Sequence, residues 1–297
     1  MTSTNQLAMR RLIRREMAGT IGLLTDRQDF AAMQAYRTFP FDDHEDYLNA
    51  VEALLQTRAA AGGHTTVALF DPQEYVEFCT DLGLEPDAPA SRTRYTAELA
   101  ATGPALPYEG QPLSELIPVL IDEAVRKVTW EFAATALARM GPCSVCGEDI
   151  GRAAYARATK LLAGILDAVG PGHHHLVCSV IARPETLAAS LHADVKIEGR
   201  PRVDEGEALE FVTVLAFGIA KSSAGGFVIR ASAPGATDRI YGWRMAGDRL
   251  EPLTAGEVFD AYHSGIGSGE VLRLESDVDY CEPPDLGDVG EPVGHTH

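Results

Sequence analysis

The stretch His64-Thr65-Thr66-Val67-Ala68-Leu69-Phe70-Asp71-Pro72-Gln73-Glu74-Tyr75 decides the fold class. Through Phe70 it is mostly β-branched and apolar, the composition of a buried strand. Asp71-Pro72 then starts a helix. The Asp carboxylate accepts from first-turn amides, and Pro has the right φ and no amide to leave orphaned. Glu74, three residues after Asp71, completes a capping-box pattern. A strand that hands over to a helix so abruptly is a βα unit of a parallel sheet.

The same pattern lies upstream. Ile21-Gly22-Leu23-Leu24 is a short apolar run ending at Thr25-Asp26. After Phe39-Pro40-Phe41, Asp42-Asp43 open a helix through about Ala61, with Tyr47, Leu48, Val51, Leu54 and Leu55 at helical spacing. Gly62-Gly63 close it. Ile21–Leu24 and Val67–Phe70 are therefore expected to be adjacent parallel strands with a right-handed helical crossover.

Downstream, residues 84–112 contain Pro86, Pro89, Pro104, Pro107 and Pro112, the best linker candidate, with a short helix near Arg94 to Ala101. A long helix is predicted from Ser114 to Met140, another from Gly151 to Ala168. A strand follows at Leu176–Ala182, then a helix from Pro184-Glu185 to about His192. The last third reads as β-rich, with candidate strands Val195–Ile197, Leu209–Phe217, Phe227–Ala231 and Arg239–Arg244. Thr254-Ala255-Gly256-Glu257 is a capping box that opens a helix through Tyr262. The expectation is an α/β fold: a mixed sheet with N-terminal parallel βα units and a β-rich C-terminal part. Its parts are a basic arm at 1–20 bearing Arg10, Arg11, Arg14 and Arg15, an α/β unit at 21–112, a helical and β-rich unit at 113–274, and a disordered acidic tail at 275–297.

Composition narrows the function classes. In 297 residues, 43 Asp and Glu stand against 25 Lys and Arg, a formal net charge of −18. Such a body repels nucleic-acid phosphates and favours a protein partner, cations or divalent metals. No apolar run approaches the roughly 20 residues that span a bilayer, and Met1 to Leu7 is not a signal peptide, so no membrane partner is expected. Five cysteines are too few for a disulfide framework in a chain this long, and a reducing cytoplasm is the expected location. No phosphate-binding glycine loop, dinucleotide fingerprint, G-x-S-x-G or H-E-x-x-H occurs.

Two constellations carry chemistry. The first is Cys143-x2-Cys146-Gly147, a zinc-knuckle spacing: two thiolates on one tight turn can share a metal. A tetrahedral site needs two more ligands, and His173, His175 and Cys178 offer them after one intervening helix. On a straight strand His173 and His175 share a face while His175 and Cys178 do not, so the Cys2His2 set suits an extended segment. A dithiol redox pair is the competing reading, opposed by Glu148 and Asp149 beside the cysteines. The second constellation is Asp26 and Asp71, each following an apolar strand, where parallel sheets bind ligands. Both could hold Mg²⁺ as catalytic carboxylates, or both could simply cap their helices, which the local sequence explains fully. The residues point to a binding or regulatory protein with a structural zinc, with a metal-dependent phosphoester or nucleotide hydrolase as the alternative. Whether the chain is an enzyme is left open.

Overall fold

The computed structural model describes residues 19–197, 201–247, 249–263 and 278–287. The basic arm through residue 18 lies outside these. Eight helices are seen among the described residues, and the chain divides into two compact units, Met1–Lys127 and Val128–His297. No helix there is long and apolar enough to cross a membrane.

The first unit contains β1 (Gly19–Leu23), α1 (Arg27–Met33), α2 (His44–Ala60), β2 (Thr65–Leu69), α3 (Pro72–Leu82), α4 (Pro89–Thr102), β3 (Ala105–Pro107) and the start of α5 (Leu113–Ala138). Strands β1 and β2 pair in parallel, Ile21 opposite Val67, and β3 adds antiparallel to β2. The parallel βα arrangement is thus present. All three N-terminal helices start as their sequences dictate, with Asp26, Asp43 and Asp71 accepting first-turn amides. Gly83, at φ 62°, ends α3 in the left-handed conformation that costs glycine least.

The Pro-rich segment 84–112 is not a linker. It supplies α4, whose Tyr95 and Leu99 are buried, and β3. Its prolines are compatible with structure because Pro89 sits in a first helical turn and Pro107 on an edge strand. An aromatic cluster closes this core: Phe70 and Tyr95 lie 5.0 Å apart edge to face, and Tyr75 donates its hydroxyl to the Pro86 carbonyl at 2.7 Å.

The second unit contains the rest of α5, α6 (Ile150–Val169), β4 (Gly172–Ala182), β5 (Glu185–Val195), β6 (Arg202–Val203), α7 (Glu205–Lys221), β7 (Gly225–Ser232), β8 (Asp238–Ala246), β9 (Arg249–Pro252), α8 (Ala255–His263) and β10 (Val278–Tyr280). Its seven-stranded sheet runs β10-β8-β7-β4-β5-β6, with β9 beside β8. All pairings are antiparallel except β10 with β8. A single apolar cluster holds α6 and α7 to one face through Leu161, Ile165, Leu176, Val180, Leu191, Phe211, Leu215, Phe227 and Trp243. Each such side chain contributes about 1.5–3 kcal/mol by leaving water. On the other face α8 covers Ile240 with Leu253 and Val258, its capping box formed as the sequence dictates: the Thr254 amide donates to Glu257 at 2.9 Å.

Three sequence expectations are corrected here. Leu209–Phe217 is not a strand; it lies inside α7, where every residue from Glu210 to Ile219 is buried. A helix buried on all sides has no amphipathic period, so its apolar run imitates a core strand. Pro184–His192 is not a helix; Glu185–Val195 is a strand hairpinned to β4, with Leu187, Ala189, Leu191 and Ala193 alternating inward. The acidic tail expected to be disordered contributes β10 at Val278–Tyr280, where Tyr280 and Val278 pack against the α8 cluster. The remainder of that tail, 275–277 and 288–297, lies outside the described residues.

Candidate functional site

Asp26 and Asp71 are both caps. Asp26 accepts from the Gln28 and Asp29 amides at 2.7 and 2.9 Å, and Asp71 from Gln73 and Glu74 at 2.7 and 3.2 Å. Asp71→Ala is expected to cost the first unit about 1 kcal/mol, whereas Asp71→Asn, which still caps, costs a few tenths. Urea denaturation of the two variants measures this; equal losses would show that charge rather than capping matters.

The same strand ends bring in a carboxylate that the sequence did not single out. Asp29, in the first turn of α1, is lifted to about 6 by burial and by the charges of Asp26 and Asp71, with a side-chain hydrogen bond to Asp26. Asp26 itself is held below the ordinary range, mainly by the Asp29 amide. His44 meets the Leu24 carbonyl alongside at 3.1 Å. The missed signal was spacing: Asp26 and Asp29 flank one helical turn, so the cap and its neighbour face each other.

The cysteine pair occupies a tight turn between α5 and α6. The Gly147 amide donates to the Cys143 carbonyl at 2.9 Å, and the Cys143 amide to the Glu148 carbonyl at 2.7 Å. Val145 aims its amide at the Cys143 sulfur, 3.5 Å away. Gly147 at φ 76° turns the chain back, and Asp149 caps α6 through the Arg152 amide. Cys143 is buried and Cys146 exposed.

The five predicted metal ligands are not brought together. The 20 residues of α6 carry the chain about 30 Å from this turn before β4 begins. Among the described residues, no three His, Cys, Asp or Glu side chains gather as a metal site. The pleat of β4 then sorts the second half. His174, Leu176 and Cys178 face the core, and burial pushes the Cys178 thiol up to about 12. His174 is itself buried and meets the Gly170 carbonyl at 2.8 Å.

His173 and His175 project from the opposite face and find different partners. Directly opposed residues of an antiparallel pair share a face. One cross-strand row is therefore Ser232, His173, Asp194 and Arg202, and the next is Arg230, His175 and His192. His173 Nδ1 meets an Asp194 carboxylate oxygen. His175 and His192 stack with ring centroids 4.6 Å apart. Glu207, in the first turn of α7, accepts the His192 amide at 2.8 Å and lies 3.2 Å from His192 Nδ1. These groups line an open cleft of about 530 Å³.

Electrostatics keep part of this face uncharged. Burial, and then the neighbouring His192, lower the pKa of His175, so its imidazole is neutral at physiological pH. Arg230 is held by Asp238 at 2.7 Å with Tyr262 at 3.4 Å, and Asp238 is kept ionised by the Ser232 hydroxyl and Arg230. The sequence reading missed His192, Asp194 and Glu207 because it placed the first two in and after a helix. The alternation of Leu187, Ala189, Leu191 and Ala193 was the available signal.

Among known proteins, a family model described as a domain of unknown function (DUF8829) matches residues 8–111, the part that contains β1 to β3 with Asp26, Asp29 and Asp71. No curated protein and no solved structure matches the chain.

Proposed function

We propose that the chain is a binding or regulatory protein whose ligand site is the histidine and carboxylate face of β4, β5 and β7. The observation that carries this reading is the stacked His175–His192 pair with Glu207 on His192 Nδ1. The carboxylate fixes one tautomer of His192 and leaves Nε2 to meet a ligand. Arg230 and Arg202 supply cationic donors beside the neutral His175 imidazole, a surface for a small polar molecule that carries both an acidic group and a hydrogen-bond donor. Ser232 gives its hydroxyl to Asp238 rather than to His173. The nucleophile and base that acyl transfer requires are thus not paired, which favours binding over hydrolysis at this cleft.

A thermal-shift series on the full chain with small carboxylates, phosphates and amino acids tests this, with His192→Ala in parallel. A compound at a hundred times its Kd is expected to stabilise the parent by about 2.7 kcal/mol, several degrees, and to leave His192→Ala unshifted. A compound that shifts both proteins alike binds elsewhere, and no shift with any compound counts against the reading.

One observation favours a second reading, a metal-dependent phosphoester or nucleotide hydrolase in the first unit. Burial, and then the charges of Asp26 and Asp71, raise the Asp29 carboxyl to about 6, a perturbed carboxyl of the kind that catalytic sites use. Mg²⁺-dependent phosphodiester cleavage by the parent, abolished in Asp29→Asn, would establish it.

A further inference from the structure

The stretch Val278-Asp279-Tyr280-Cys281-Glu282-Pro283-Pro284-Asp285-Leu286-Gly287 starts on the outer edge of β8 and ends in a cleft beside Trp243. We propose that this edge and cleft are a docking site for an extended acidic peptide of a partner protein, and that the chain's own residues 278–287 are a tethered occupant that masks it. The site lies within the second unit and shares no lining residue with the histidine cleft.

The segment is seated as a peptide ligand is. β10 adds to β8 in parallel, with Val278 opposite Asp238 and Tyr280 opposite Ile240, and the Cys281 amide donates to the Ile240 carbonyl at 2.9 Å. Sheet edges take extended peptides in this way: the backbone supplies the bonds and alternate side chains supply the choice. Val278 and Tyr280 alternate toward the cluster of Ile240, Leu253 and Val258. Tyr280 meets Phe259 edge to face at 5.1 Å, and its hydroxyl lies 3.5 Å from His263 Nε2. Farther on, Pro283 is buried and Leu286 packs against the cluster that contains Trp243. The edge thus reads an apolar residue, an aromatic two positions later, then a proline and a leucine.

Charge points to an acidic partner. Asp279 sits opposite Arg239, and Arg249 lines the same cleft as Glu282 and Asp285. Glu251, also in that cleft, is held by Arg244 at 3.2 Å. On a chain of formal net charge −18, such a basic edge selects acidic segments and steers them to one place.

The present occupant is held lightly. Three residues pair with β8, and among the described residues no hydrogen bond ties 282–287 to the body; the Gly287 amide turns back to Asp285 at 2.9 Å. A cleft of about 400 Å³ remains where Pro284 and Leu286 meet Trp243, Arg249 and Leu250. Pro283 and Pro284 favour an extended backbone and bring no amide to bond. A segment with so few ties opens at low free-energy cost. Residues 264–277, outside the described residues, join α8 to β10, and a chain of that length reaches roughly 46–50 Å when extended. The tail can therefore leave the edge without disturbing α8, and a partner peptide competes with a tether of roughly millimolar effective concentration.

The probe is a fluorescein-labelled peptide of residues 278–287 carrying Cys281→Ser, and the readout is anisotropy with the full-length protein. Two tail variants unmask the edge: Tyr280→Ala with Leu286→Ala, and Leu286→Asp alone. The second changes a residue outside any strand and carries the result should circular dichroism show the first unfolded. Release of the tether predicts binding to the tail variants at least about tenfold tighter than to the parent. Adding Arg249→Glu should weaken that binding several-fold, and a peptide carrying Tyr280→Ala and Leu286→Ala should not bind. Equal affinity for parent and tail variants, no binding to the variants, or equal binding of a scrambled peptide would each overturn the proposal. So would a parent dimer that Leu286→Asp abolishes, because the edge would then take the tail of a second copy.

Discussion

Trp243→Ala is expected to destabilise the second unit by about 3–5 kcal/mol, the range for removing a large aromatic from a packed core. Trp243 is 1% exposed and stacks on Phe227 at 4.9 Å with the rings 24° apart. It belongs to the cluster that joins β8 to α6 and α7. The neighbouring backbone cannot collapse into the space. A Cβ on Gly226 would sit 2.5 Å from the Trp243 carbonyl oxygen, so β7 and β8 are already at closest approach. For a unit of this size the loss corresponds to a melting temperature lower by about 6–20 °C. Amide exchange over β7, β8 and α7 should accelerate together, and Trp243→Phe should recover most of the loss. A Trp243→Ala protein with parental exchange in those elements would mean that the cluster is not the unit's main core.

Asp29→Asn is expected to do the opposite and stabilise the protein near pH 7.5. The Asp29 carboxyl is lifted to about 6 by burial, then by Asp26 and Asp71. An unfolded Asp titrates near about 3.9, so the folded state binds the proton more tightly. The stability linked to that proton is complete below about pH 4 and is lost as pH rises through about 6. Above that the folded chain carries an ionised carboxylate in an unfavourable place. The rise from the ordinary carboxylate range to about 6 sets a ceiling of roughly 3 kcal/mol, and partial exposure reduces this to about 1–2 kcal/mol. Asn keeps the shape without the charge. Urea midpoints at about pH 7.5 and about pH 4 decide the matter: the gain should appear at the first and vanish at the second. A gain independent of pH would point to shape rather than charge. Should the hydrolase reading hold, the same variant would gain stability and lose activity, the usual relation between a strained site and its fold.

Much of the candidate site was visible in outline only. His173 and His175 stand on one strand face because side chains alternate, and that follows from their spacing alone. Their partners do not follow. His192 and Asp194 reach them through the register of a hairpin, in which a slip of one residue would turn both to the core. Glu207 arrives from the next helix, whose first turn happens to lie against β5. Asp26 and Asp71 were legible as caps, yet their joint effect on Asp29 required β1 and β2 to lie side by side.

The N-terminal βα units, their caps and the α8 capping box are local matters. An Asp one residue before a helix finds its amides within a single turn, and an apolar run between such signals has one economical conformation. The Cys143-x2-Cys146 turn is local for the same reason: the bonds from the Gly147 amide to Cys143 and from the Cys143 amide to Glu148 close within it. The identity of Leu209–Phe217 as helix and of Glu185–Val195 as strand was not local. Both are apolar enough to suit either geometry, and what decided between them was burial. The first is enclosed on all sides by sheet and helix, so it closes its own hydrogen bonds. The second lies beside β4, whose open edge offered a ladder of unpaired amides and carbonyls. Contacts between residues distant in sequence settled those two segments, and with them the face on which the histidines meet their carboxylates.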